Sequence, residues 1–289
     1  MKIGIIGGGA IGLLMGAYLA EEHAVTIVTR SEGQAEDIRH NGIHLVKDGQ
    51  EYIKKVEAAP ISVQSLNDFD LIVVAVKQYA LEEIVSVLEG TNSSLFFVQN
   101  GMSHVELVKR LSHDKTVFVG VVEHGALKTN HHTVVHTGVG LVKVSAYQQN
   151  QWNFPITSNA DFPIVYEENP HDMLTKKLVV NAMINPLTAV LGVPNGDLLN
   201  NGYYKQLFDS LFEEISGLLQ IEDYNGMKVH IESICRKTAR NYSSMLRDIQ
   251  EQRPTEIDSI LGYVLKVAAE KNWRAPITSS LYLMVKGKE

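Results

Sequence analysis

The 289-residue sequence contains a single cysteine, Cys235, so no intramolecular disulfide can staple it and no cysteine cluster can hold a metal. That scarcity fits a reducing compartment, and Cys235 itself reads as a small buried hydrophobe. No uninterrupted apolar run reaches the roughly 20 residues that a membrane-spanning helix requires. Positive charge is in deficit as well: 26 Lys and Arg stand against 33 Asp and Glu, a formal charge of −7, which offers no general attraction to nucleic acid or to an anionic membrane. A small anionic substrate would need a local basic site. Internal repeats and low-complexity tracts are also missing. What is present is 45% hydrophobic and 20% charged residues, the mixture of a soluble globular enzyme, over a length that suffices for two domains with cores of their own.

Glycine, by contrast, is concentrated where the chain opens, in MKIGIIGGGAIGLLMGAYLAEEHAVTIVTR. The β-branched run from Lys2 to Ile6 reads as a buried parallel strand, and the apolar stretch through Leu19 can wind as a helix. Between them lies the turn Gly7-Gly8-Gly9-Ala10-Ile11-Gly12, with the G-x-G-x-x-G spacing of a dinucleotide loop. Gly7 makes the tight turn, Gly9 lets backbone approach a pyrophosphate, and Gly12 lets helix and strand pack closely. The next apolar run, Ala24 to Val28, arrives at the distance a βαβ unit needs. A cleaved leader would remove this unit, so a cytoplasmic location is expected. Where an NAD site carries Asp or Glu at the end of the second strand, this chain has Thr29-Arg30. A guanidinium beside a hydroxyl suits a 2′-phosphate, so the expected cofactor is NADP(H). Glu32, two residues further, keeps NAD open.

Short apolar runs return at Leu71 to Val76, Leu95 to Val98 and Thr116 to Val121, the rhythm of a parallel sheet with helical crossovers. TVVHTGVGLVKVS reads as a hairpin turning at Gly138-Val139-Gly140 and added to that sheet. Beyond Asp172 the pattern is helical, with segments around Leu174 to Leu191, Tyr203 to Leu219, Val229 to Ile249 and Glu256 to Lys271. The fold class predicted is thus an α/β Rossmann-type dinucleotide-binding domain over residues 1–168, followed by an all-α domain over 169–289. Such a pair places its active site in the cleft between domains.

Lys77 in VVAVKQY and Asn100 in FFVQNGM follow consecutive strands, where an open α/β sheet forms its ligand crevice. Each is also readable as a plain polar loop residue. In KKLVVNAMINPLTAVLGVPNG, Lys177, Asn181 and Asn185 recur every four residues and share one helix face. Asparagine is a poor helix former, so two of them in so apolar a segment point to a polar cleft. Pro186 should kink or reorganise the helix just after Asn185. Asn241, Ser244 and Asp248 are spaced for one face of a further helix. Thr255 and Asp258 are spaced for a capping box, with Glu256 in the first turn as an ionised carboxylate. That leaves Lys177 as the candidate proton donor. His131, His132 and His136 lie around the expected hairpin, with His124 a little upstream, and no carboxylate or cysteine in a recognised spacing, so no metal is expected.

Taken together, GIIGGGAIG, VKQY, QNGM, KLVVNAMINPLTAVLGVPNG and SSMLRDIQEQRPTEIDSILG resemble the ketopantoate reductases (2-dehydropantoate 2-reductases) over essentially the whole chain. The resemblance implies NADPH-dependent reduction of 2-dehydropantoate to (R)-pantoate, on the route to pantothenate and coenzyme A. It carries the catalytic lysine onto Lys177 and the substrate-holding glutamate onto Glu256. Asn181, Asn185 and Asn195 fall on polar residues of the substrate cleft, Asn241 and Ser244 near the substrate's carboxylate and hydroxyl, and Lys77 and Asn100 on the cofactor and hinge side. The implied partner is a small 2-keto acid, with neither nucleic acid nor membrane, and a homodimer is compatible with the helical domain. Reduction of another 2-keto acid on the same scaffold is the alternative, and a non-catalytic nucleotide sensor a more remote one.

Overall fold

The computed structural model describes residues 1–148 and 154–289. The chain divides into two compact units, Met1–Gln99 with His104–Met173, and Asn100–Ser103 with Leu174–Glu289. In chain order the strands are β1 (Lys2–Ile6), β2 (Ala24–Thr29), β3 (Ile43–Lys47), β4 (Gln50–Lys54), β5 (Glu57–Pro60), β6 (Leu71–Val74), β7 (Ser94–Phe97), β8 (Val117–Val122), β9 (Gly125–Lys128), β10 (Thr133–Gly138), β11 (Val142–Ala146) and β12 (Ile164–Tyr166). The first unit adds the helices α1 (Ala10–Leu19), α2 (Glu32–Asn41), α3 (Val85–Gly90) and α4 (Val105–Leu111).

Six strands form a parallel run in the order β5-β2-β1-β6-β7-β8, continued by β11, antiparallel to β8, and by β12. Strands β1, β6 and β7 are buried apolar runs because a parallel sheet is covered on both faces. From β1 the order moves one way to β2 and β5 and the other way to β6, β7 and β8. The crevice at that reversal, beyond the strand C-termini, is where dinucleotides bind in doubly wound sheets. A second sheet, β4-β3-β10-β9, packs on α1. Its β3–β4 hairpin turns at Asp48-Gly49, both with positive φ (50° and 77°), as a tight two-residue turn demands.

The expected hairpin at Gly138-Val139-Gly140 does not form. β10 pairs with β3 and β9 in the small sheet, whereas β11 pairs with β8 and β12 in the large one. The turn therefore passes the chain from one sheet to the other. Each strand satisfies its backbone with remote partners, which local alternation cannot reveal.

The histidines there form a buried chain: Tyr18 Oη lies 2.7 Å from His136 Nδ1, and His136 Nε2 lies 3.0 Å from His124 Nδ1. Burial pulls His124 down to about 4 and lowers His136. His104, stacked beside Phe97 with neither ring nitrogen bonded among the described residues, is also held at about 4 by burial. Unfolded histidines titrate near 6.5, so the unfolded chain binds more protons below that pH. Stability from these groups is fully present above pH ~6.5 and is lost as pH falls toward the folded values near 4. Thermal melts should show Tm falling between pH 7 and pH 5, and falling less in His104→Phe, which removes one titrating group and an unpaired buried polar ring. Parallel pH profiles for the two proteins would count against this account.

The second unit is built from α5 (Pro170–Leu191), whose first residues belong to the first unit, then α6 (Asp197–Asn200), α7 (Gly202–Leu219), α8 (Tyr224–Lys237), α9 (Ser244–Gln250), α10 (Tyr263–Glu270) and α11 (Pro276–Lys286). Helix α7 buries Phe208, Leu211, Phe212 and Ile215, an i, i+3, i+4, i+7 stripe. On α8 the inward row is Met227, Ile231 and Cys235, and burial raises the Cys235 thiol to about 11. α5 continues past Pro186 to Leu191 as one helix.

Two local expectations are corrected. The helix read across Val229 to Ile249 is two helices, because Ser243 caps α9 by accepting from the Leu246 N–H while Thr238 ends α8. The capping box of Thr255 with Asp258 is not made. Thr255 Oγ1 accepts from the Ile257 N–H, but Asp258 is engaged by the Tyr282 hydroxyl (2.6 Å) and Lys286. Glu289 takes its place, accepting from the Thr255 N–H (2.8 Å) and hydroxyl (2.7 Å). Between Asp258 and Gly262 the backbone makes a π turn before α10 begins.

Candidate active site

The glycine loop joins β1 to α1 at the point where the strand order reverses. Gly7 has φ +117°, and a Cβ there would sit 2.8 Å from the Ala75 carbonyl carbon beyond β6. A Cβ on Gly12 would meet the Gly7 oxygen at 1.8 Å, so strand, turn and helix can close only with glycine at both ends. Gly9 faces open space. Helix α1 has no side-chain cap and no acid in its first turn, which leaves the N–H groups around Ala10, Ile11 and Gly12 without intrahelical acceptors. Donors without a counter-acid at a helix start, under an open glycine, fit a pyrophosphate.

At the end of β2, Arg30 is exposed, whereas Thr29 is buried and donates its hydroxyl to the Ser31 carbonyl (2.8 Å). Thr29 therefore has no proton to offer a phosphate, contrary to the helper role expected of it. Glu32 is held by Arg39 at 2.5 Å, drawn along α2 by an ion pair about two helical turns long. Lys77, half-buried, begins the short turn after β6. Gln99 clamps the same strand ends by donating to the carbonyls of Val74 (2.7 Å) and Val76 (3.0 Å).

Asn100 belongs to the second unit, in the strap Asn100–Ser103. On α5, Lys177, Asn181 and Asn185 lie four residues apart on one face, with Asn181 only 7% exposed and the other two half-buried. Asn181 Nδ2 donates to Asn100 Oδ1 (3.4 Å), and Asn100 Nδ2 donates to Glu256 Oε2 (3.0 Å). Three residues from separate segments are thus in one hydrogen-bonded chain. The strap is seated on the π turn: the Met102 N–H donates to the Ser259 carbonyl (3.2 Å), which in an α-helix would be taken by Tyr263, whose N–H here turns to Ile260. Gly101, at φ +78°, passes so close that a Cβ would lie 2.2 Å from that Ser259 oxygen.

Asn195 is buried, donating its amide to Thr238 Oγ1 (2.9 Å) and its backbone N–H to the Asn241 carbonyl (3.0 Å), with Oδ1 unpaired among the described residues. Asn241 precedes α9, so it does not share a helix face with Ser244 and Asp248 as its spacing suggested. Both Asn241 and Ser244 are exposed, and Asp248 is bound by Arg253 (3.0 Å). The hydrogen bond from Thr188 on α5 to Ser243 (2.7 Å) joins these segments and was not read from the sequence, although Ser243-Ser244 before an apolar run is a legible cap signal.

Two family models match, "Ketopantoate reductase PanE/ApbA" over residues 3–149 and its C-terminal counterpart over residues 171–289. The chain belongs to the ketopantoate reductase family. A 2-dehydropantoate 2-reductase of Bacillus subtilis is 42% identical across 100% of this chain and 98% of its own length. The crystal structure of a probable 2-dehydropantoate 2-reductase from the same organism matches with a TM-score of 0.90 at 40% identity, covering both chains in full. A D-mandelate dehydrogenase solved with NADH and anilino(oxo)acetate has a TM-score of 0.88 at 20% identity, over 100% of this chain and 98% of that one, a likeness of fold alone. As a ketopantoate reductase the protein is an oxidoreductase of a family that uses a nicotinamide dinucleotide, which the open glycine loop and uncapped α1 are built to receive. No helix among the described residues is long and apolar enough to cross a membrane.

Proposed function

We propose that this ketopantoate reductase converts 2-dehydropantoate to (R)-pantoate with NADPH in the cytoplasm, on the route to pantothenate and coenzyme A. In this reading residues 1–168 bind the cofactor and residues 169–289 bind the substrate. The observation that carries it is the hydrogen-bonded chain of Asn181, Asn100 and Glu256, together with Lys177 one helical turn from Asn181 on the same face. A nicotinamide dinucleotide held by the glycine loop and the start of α1 would supply the hydride for the carbonyl carbon. Lys177, as an ammonium, donates to the carbonyl oxygen and delivers the proton that completes the alcohol. Charge develops on that oxygen only as the bond forms, so a fixed ammonium favours the transition state over the ground state. Glu256 accepts from the substrate's terminal hydroxyl. Asn100, Asn181, Asn185, Asn195, Asn241 and Ser244 supply uncharged donors and acceptors that orient the 2-keto acid, and Lys77 and Asn100 serve the cofactor.

Support for NADPH comes from the exposed Arg30 at the end of β2 and from Glu32, whose carboxylate is already paired with Arg39. In steady-state assays with ketopantoate, kcat/KM should favour NADPH over NADH by at least about tenfold, on the order of 1.4 kcal/mol. Arg30→Ala should weaken NADPH and leave NADH nearly unchanged, since only NADPH carries the 2′-phosphate. A parent enzyme that prefers NADH overturns the cofactor assignment, and higher activity on 2-oxoisovalerate than on ketopantoate overturns the substrate.

A further inference from the structure

Lys128, the last residue of β9, reaches out of the small sheet and donates its ammonium to the carbonyl oxygen of Gly8 in the glycine loop (2.9 Å). The same oxygen accepts from Gln34 Nε2 (2.7 Å), which also donates to the His131 carbonyl (2.9 Å) in the β9–β10 turn. An ammonium has three hydrogens, and one satisfies Gly8. No carboxylate among the described residues pairs with it. The side chain is half-buried, and desolvation holds its pKa below the ordinary lysine range. A cation kept partly out of water without an acid is costly unless an anion joins it.

Which anion is set by position. Gln34 stands in the first turn of α2, whose cap, Ser31, follows Arg30 directly. Sharing an acceptor with Gln34 puts Lys128 on the flank of the loop that faces the end of β2, the side of the adenosine ribose in this class of sheet. The pyrophosphate has the free N–H groups of α1. We propose that Lys128 is a second cation for the 2′-phosphate of NADPH, acting with Arg30. This rests on the NADPH reading above and adds a specificity residue to it. Nothing in the GIIGGGAIG loop or at the end of β2 announces Lys128, which lies about 120 residues away in sequence.

The test is equilibrium binding of NADPH and NADH to the full-length protein without substrate, by quenching of intrinsic fluorescence, for parent, Lys128→Met, Lys128→Gln and Lys128→Arg. Met removes charge and donor, Gln keeps a donor for the Gly8 carbonyl but no charge, and Arg keeps both. The expected result is a Kd for NADPH raised about tenfold in the Met and Gln variants, with NADH nearly unchanged and Arg close to parent. Should the Met variant melt early, the Gln variant carries the comparison. Equal weakening of both cofactors, which makes Lys128 only an anchor of the loop, or no change in either, overturns the proposal. A parent that binds NADH more tightly than NADPH refutes the cofactor reading itself, a result visible before any variant is measured.

Discussion

Lys177→Ala lowers kcat with ketopantoate by about 10²-fold or more while the protein melts at nearly the parent temperature, the scale of losing a positioned acid and its charge together. The residue is half-buried on the face of α5 that also carries Asn181 and Asn185, while Leu178, Val179 and Ala182 of the same helix are buried in the core. Lys177→Arg separates the two parts of the role. Guanidinium retains positive charge but gives up a proton only with difficulty, so an Arg variant that stays slow assigns the loss to proton delivery, and one that recovers most of kcat assigns it to charge. Near-normal turnover in the purified Ala variant removes Lys177 from the reaction.

Glu256→Ala raises KM for ketopantoate by about 10- to 100-fold, since a hydrogen bond to an ionised group is worth roughly 1.5–3 kcal/mol and each decade is 1.4 kcal/mol. A second consequence follows from the geometry. Glu256 is the acceptor that holds the Asn100 amide, and Asn100 in turn receives Asn181, so the Ala variant also frees the chain that orients the substrate and slows kcat to a smaller degree. Glu256→Gln, which can still accept from Asn100, should fall between parent and Ala. The control is 2-oxoisovalerate, which lacks the terminal hydroxyl: its KM should change little in either variant. An equal rise for both substrates would mean that Glu256 only braces Asn100.

Periodicity reads well where an element's partners are near in sequence or its packing is one-sided. The βαβ opening, the glycine turn and the stripe of α7 belong to this class, and the row Lys177, Asn181, Asn185 is legible because helical spacing alone puts residues four apart on one face. It fails where a remote group competes for the same backbone atom. The TVVHTGVGLVKVS segment has hairpin chemistry, yet β8 offers an unpaired edge that β11 takes instead. Thr255 and Asp258 have the spacing of a capping box, yet Glu289, 34 residues on, reaches the same N–H.

By itself the sequence determined that a glycine loop precedes a helix, that Arg30 and no acid ends the second strand, and that Lys177 shares a face with two asparagines, because each of these is a matter of residues within a few turns of one another. Only the tertiary structure decided that Asn100 bonds Glu256 across 156 residues, that the π turn offers the Ser259 carbonyl to the strap behind Gly101, and that Lys128 stands on the glycine loop. Those contacts join atoms whose separation in sequence carries no information about distance, and they form because burial requires each polar group to find a partner wherever the packed chain supplies one.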